Sequence, residues 1–195
     1  MELMGLMEVK VFVRLLLIYM HLMLSVFALR DVLINDLKVL RRTIRLDDLA
    51  SVHKRIVWLL SALWMTGLAL VAIDTGFDPE QLADKPKILA KLFTVSVLTV
   101  NGLLLQYWCF PRIEHIEKLG VIETVLVMAS GATSTASWLM APFLGVAKPL
   151  AKTPVHLLIG MYGIEIMIAV TAAIVLGTWW RWRFKLASPN ALRER

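Results

Sequence analysis

The chain has 195 residues, 58% of them hydrophobic, with a mean hydropathy of +0.71, which is too apolar for a soluble domain that must cover itself with polar groups. The net charge of +6 falls beside apolar runs rather than in an aromatic-spaced patch, so it reads as topology signal and lipid-phosphate contact and excludes nucleic acid as a partner. The single cysteine, Cys109, excludes an internal disulfide and reads as a small packing residue.

A membrane span needs about 20 mostly apolar residues. Five runs qualify: Val11 to Ile34, Ile56 to Ile73, Leu92 to Phe110, Thr124 to Val146 and Val155 to Trp180. They are too long and too continuously apolar for barrel strands, and a backbone in hydrocarbon must satisfy its own hydrogen bonds. The expected fold is therefore all-α, one polytopic transmembrane bundle of about five helices over residues 1–195. Before the first run, Met1 to Glu8 lack a positive n-region and no small-residue cleavage site follows, so the first helix is expected to stay as an anchor.

The first run carries one ionisable residue near its middle, His21, on a stripe with Arg14, Ile18, Ser25 and Ala28. Residues at this helical spacing share a face, and that polar or small face should point inward. An imidazole in hydrocarbon is either a ligand or a neutral ring bonded to a neighbouring helix. Past this run, Leu33, Leu37, Leu40 and Ile44 recur at helical spacing among Lys38, Arg41, Arg42 and Arg45, which predicts that the helix continues along the cytoplasmic interface. Asp47 or Asp48 offers an N-cap for the second helix. Gly76, Pro79 and Pro86 mark a turn-rich outer connector.

Down the third run, Lys91, Thr94, Leu98, Asn101, Leu105 and Trp108 form one line. Lys91 either snorkels to the headgroups or serves a site. Ser130 to Trp138 on the fourth run is the densest small-residue segment, which places that helix at the centre of the bundle. Pro142 is expected to kink it, and Gly160 and Gly163 suggest a close crossing on the fifth helix. Orientation follows from lysine and arginine. They crowd the first and third connectors and the tail, with Trp58, Tyr107, Trp108, Trp179, Trp180 and Trp182 at the same ends, which gives an outside N-terminus and a cytoplasmic C-terminus.

Mid-run positions bring His21, Thr66, Gly67, Asn101, Thr133 to Thr135 and Glu165 to one depth. A central carboxylate costs about 2.5 to 3.5 kcal/mol on insertion scales. Glu165 is thus protonated, paired or facing a wet cavity, and is expected to take up a proton, either in a relay toward His21 or as counter-charge to a cation. Glu165, Lys91 and Asn101 are the candidate chemical residues. Bis-histidine haem ligation needs two histidines at matching depth, and His156 begins the fifth run whereas His53 and His115 lie at the inner side. Met1, Met4 and Met7, with Met20 and Met23 flanking His21, suit a Cu(I) entry route or gap-filling. No nucleotide-binding glycine loop, paired-cysteine metal motif or serine nucleophile motif occurs.

Met20-His21-Leu22, Lys54-Arg55 leading to Thr66-Gly67-Leu68, and Lys91-Leu92 resemble, in that order, the HemJ-type protoporphyrinogen oxidases and, more loosely, the CopD copper-resistance membrane proteins, over residues 10 to 115. The resemblance implies a haem b ligand at His21 and a functional lysine at Lys91. Asn101-Gly102 stands where that family carries a tyrosine-histidine pair, and the fifth run exceeds its four. Asn101-Gly102 and Ser134 to Trp138 are more similar to a set of uncharacterised bacterial membrane proteins, which implies the bacterial inner membrane. Two functions stand as expectations: a haem-binding redox protein using His21, or a non-catalytic transport or assembly subunit, Cu(I) handling included, within a homo-oligomer or larger membrane complex.

Overall fold

The computed structural model describes residues 2–40, 46–113 and 120–187, and among these it is helical throughout apart from short turns. Helix α1 spans Glu2–Leu40 and α2 spans Leu46–Thr75. A short α3, Pro79–Ala83, precedes α4, Pro86–Leu104. α4 widens into a π-helical segment, Leu105–Cys109, and closes as α5, Phe110–Ile113. α6 spans Val121–Val146, a 3-10 turn covers Lys148–Lys152, and α7 spans Val155–Ala187.

Four stretches are long and apolar enough to cross a membrane: 7–38, 54–75, 86–112 and 155–179. The chain is therefore an all-helical transmembrane bundle. The fourth expected span is present as α6, but its hydroxyl-rich middle leaves it less apolar than the other four. Burial explains why that is tolerated. α6 carries eight buried residues against four in α4, so its hydroxyls meet protein rather than lipid.

Two clusters build the interior. Ala28 and Val32 of α1, Leu63 of α2, Leu98 of α4 and Trp138 of α6 form one; Ala90 of α4, Met140 and Leu144 of α6, and Leu158 and Tyr162 of α7 form the other. α4 and α6 belong to both, so they are the spine, with the α1–α2 hairpin on one side and α7 on the other. Lipid tails are as apolar as leucine, so these contacts gain dispersion and close approach rather than escape from water. That is why Ala28, Ala90 and Ala136 lie at or near zero exposure while large side chains such as Phe12 and Met65 face outward.

Polar pairs set the register. Arg14 meets Asp74, His21 meets Thr66 and Asp31 meets Arg55; residue numbers climb in α1 as they fall in α2, as antiparallel neighbours require. The turn between α2 and α3 uses Gly76 and Phe77, both with a φ of 59°. Glycine adopts that left-handed conformation freely, whereas Phe77 is held there with its N–H donating to the Thr75 hydroxyl at 3.2 Å.

Several sequence expectations change in detail. α1 begins at Glu2 rather than near residue 11 and runs on to Leu40 as the leucine spacing predicts; Arg41 to Arg45 lie outside the described residues. Asp47 and Asp48 fall inside the first turn of α2, not ahead of it as caps. α6 continues helically through Pro142 to Val146. The close crossing expected at Gly160 and Gly163 does not occur among the described residues: a Cβ at either would meet nothing within 4 Å. Their face of α7 is turned out of the bundle.

Candidate functional site

The first polar centre lies between α1 and α2. His21 Nδ1 and the Thr66 hydroxyl are 2.8 Å apart, and the same hydroxyl donates back to the Ala62 carbonyl at 2.9 Å. The hydroxyl also lies 3.2 Å from the Leu63 carbonyl, so its one proton has both helix carbonyls and the imidazole as acceptors, and either member of the His21–Thr66 pair can be the donor. The other ring nitrogen, Nε2, has no hydrogen-bond partner among the described residues. Gly67 makes room, since a Cβ there would sit 3.4 Å from the ring's Cε1. The pairing of His21 with Thr66 and Gly67 is the part of the mid-depth layer that sequence position placed correctly. Met20 is exposed and Met23 half-buried, so Met20 is turned away from His21; the side chains of Met1 and Met4 lie outside the described residues.

A second centre gathers cations at the Pro86 end of α4. Lys85 Nζ donates to the Asp74 carbonyl at 2.5 Å and Lys87 Nζ to the Ala147 carbonyl at 2.7 Å. Lys91 crosses toward α6, its Nζ 3.8 Å from where a Cβ on Gly145 would stand. It lies within electrostatic reach of Lys87 and of His21. Lysines are favoured beside the last carbonyls of a helix, where the aligned peptide dipoles present negative charge, and this end of α6 is such a place. Lys91 therefore points at a neighbouring helix instead of running out along its own.

The third centre joins α4 to α6. Asn101 donates from Nδ2 to the Ser130 carbonyl at 2.9 Å, and the Ser130 hydroxyl donates to Asn101 Oδ1 at 2.8 Å. The pair is reciprocal and buried. Cys109, fully buried in the π-helical segment, lies beside Ser130, as expected of a packing residue. A side-opening cavity of about 270 Å³ adjoins this clamp, with Asn101, Ser130, Thr133 and Trp108 as its polar walls and Leu104 and Leu126 among the apolar ones. It is smaller than the ~300–1,000 Å³ usual for ligand pockets. Arg112 closes the end of the segment, stacked 4.4 Å above Trp108 and donating to that residue's carbonyl at 2.9 Å.

Glu165 stands apart from all three. It lies on α7, half-buried, one turn from Tyr162, and no hydrogen bond or ion pair reaches it among the described residues. Asn101 is taken by Ser130. Tyr162 shares a 2.6 Å hydrogen bond with Ser137, which also donates to the Thr133 carbonyl at 2.6 Å. His21 is across the spine, between α1 and α2, so no direct contact links it to Glu165.

Sequence reasoning missed four pairings: Arg14 with Asp74, Asp36 with Thr135, Trp64 with Thr99, and Ser137 with Tyr162. Each joins residues ordinary in their own segments, so only the fold brings them together. Among the described residues no three of histidine, cysteine, aspartate and glutamate converge as a metal site. His156 is exposed at the start of α7, away from His21. No family model, curated protein or solved structure matches the chain.

Proposed function

We propose that the chain is a non-catalytic subunit of a larger assembly in the bacterial inner membrane, with its C-terminus cytoplasmic, docking through α7 to a partner helix that carries a donor or a cation. The observation that carries this reading is Glu165. It lies ten residues into α7 from Val155, about 15 Å at 1.5 Å per residue and so near the middle of a ~30 Å hydrocarbon core. A carboxyl at that depth without a partner costs a few kcal/mol, which a donor from another helix would offset. Two buried polar groups of the spine, Asn101 and Ser137, are closed on Ser130 and Tyr162, which leaves them little for chemistry.

The test is the size of the protein extracted gently from its native membrane, with Glu165→Leu alongside the parent. The parent should migrate well above its 22.0 kDa mass and Glu165→Leu at it, with the isolated variant more stable than the isolated parent because a lone carboxyl has gone. A parent that is already monomeric, with the variant no more stable, overturns the reading.

A second reading, haem binding for redox work, has its own support: Nδ1 of His21 is anchored by Thr66, which leaves Nε2 as the ligating atom, and anchoring of the distal nitrogen is how ligating histidines are oriented. The iron would lack a second protein histidine, and Lys91 opposes a cation at the ring. A Soret band in the purified protein that disappears in His21→Ala supports this reading; a colourless protein ends it.

A further inference from the structure

Lys91 is a largely enclosed ammonium without a counter-charge. No carboxylate pairs with it among the described residues, and the charge that bears on it is that of Lys87. Asp74, an acidic side chain on this side of the bundle, is gripped by Arg14 from Nε at 2.6 Å and Nη2 at 3.1 Å. The Ala147 carbonyl at the end of α6 is taken by Lys87. Lys148 and Lys152 sit on the 3-10 turn packed against α4, and neither forms an ion pair among the described residues. An enclosed ammonium is costly unless an opposite charge and hydrogen-bond acceptors accompany it. Here the fold supplies the carbonyl end of α6, already engaged by Lys87, and no opposite formal charge among the described residues.

We propose that the Pro86 end of α4, the Val146 end of α6 and the 3-10 turn form a binding site for a phosphate-bearing anion, held by Lys87 and Lys91 and flanked by Lys148 and Lys152. The arrangement suits phosphate in particular. Lysine meets phosphate as a point charge, several oxygens allow one anion to accept from more than one ammonium, and Gly145 leaves the space beside Lys91 Nζ free of a side chain. Lys91 is five residues into α4 from Pro86, about 7.5 Å along the axis, a depth at which its long side chain meets the headgroup boundary. A lipid headgroup and a soluble anion both carry this phosphate chemistry, and the test separates the two.

Purified protein in a neutral detergent is titrated with phosphatidylglycerol, and separately with inorganic phosphate, and bound adducts are counted by native mass spectrometry. The parent should show one saturable phosphatidylglycerol site. Lys91→Met and Lys87→Met should each weaken it about fivefold, the factor that corresponds to the usual contribution of one basic residue at a lipid surface. Lys91→Arg should retain it, and Lys54→Met, near the other end of α2, should leave it unchanged. If millimolar inorganic phosphate binds with the same Lys91 dependence and displaces the lipid, the site takes free phosphate; if it does not displace the lipid, the site takes the headgroup. Binding of neither probe overturns the proposal. So does a Lys91→Met protein with parental helix content that binds phosphatidylglycerol as the parent does.

Discussion

The Asn101–Ser130 clamp allows a quantitative prediction. Ser130→Ala removes the hydroxyl that donates to Asn101 Oδ1 at 2.8 Å and leaves a carboxamide oxygen facing nothing in a residue only 8% exposed. An average polar contact between transmembrane helices contributes ~0.6 kcal/mol, and the best reach ~1.7 kcal/mol. An acceptor stranded in the interior costs ~1–3 kcal/mol. The clamp is reciprocal and buried, so the upper part of the first range applies, and Ser130→Ala should cost about 1–2 kcal/mol. Asn101→Leu deletes both bonds yet strands only the Ser130 hydroxyl, which can turn back to the carbonyl four residues earlier, so it should cost no more than Ser130→Ala. In the double variant no polar group is left waiting. The single costs should therefore fail to add, with a coupling of about 1 kcal/mol, beyond the ~0.3–0.5 kcal/mol scatter of independent sites. Reversible unfolding of the four proteins in bicelles measures this. Additivity within that scatter would refute the clamp as an energetic unit and leave α4 and α6 held by packing alone.

Arg14 and Asp74 form a two-pronged pair with 44% and 25% side-chain exposure, so Asp74→Asn should lower stability by only ~0–1 kcal/mol, and the difference should shrink in high salt; thermal melts at low and high ionic strength check both. Gly67→Ala should be tolerated, since its Cβ would meet the His21 ring at ordinary contact distance and alanine is the better helix former. Gly67→Leu should push the ring off Thr66 and cost a further ~1–3 kcal/mol from overpacking, read by the same bicelle unfolding. Tyr162→Phe should cost ~1 kcal/mol or less, because Ser137 keeps its bond to the Thr133 carbonyl; a loss several times larger would mean that Tyr162 has a partner other than Ser137. A cysteine at Glu80 should react with an impermeant maleimide from outside the cell while one at Val121 should not, and the reverse pattern overturns the orientation.

The sequence by itself determined that this chain lives in a membrane, that it is helical, where the four membrane-crossing stretches lie to within six residues, and which helix is central. Apolar length and the need of every backbone group for a partner leave little else open, and the small residues of 130–138 mark the helix that others can approach. Spacing also placed Thr94, Leu98 and Asn101 on one buried face of α4. The tertiary structure decided which polar residues meet. Asn101 could have met Glu165, Thr133 or Ser130, because a position along a helix states depth and face but not which neighbour occupies the facing groove. Packing chose Ser130, left Glu165 beside Tyr162 without a partner among the described residues, and brought Lys91 to the end of α6. The exposed glycines of α7 make the same point: small residues permit close approach, and whether a helix arrives is settled by how the rest of the chain folds, or by a second molecule.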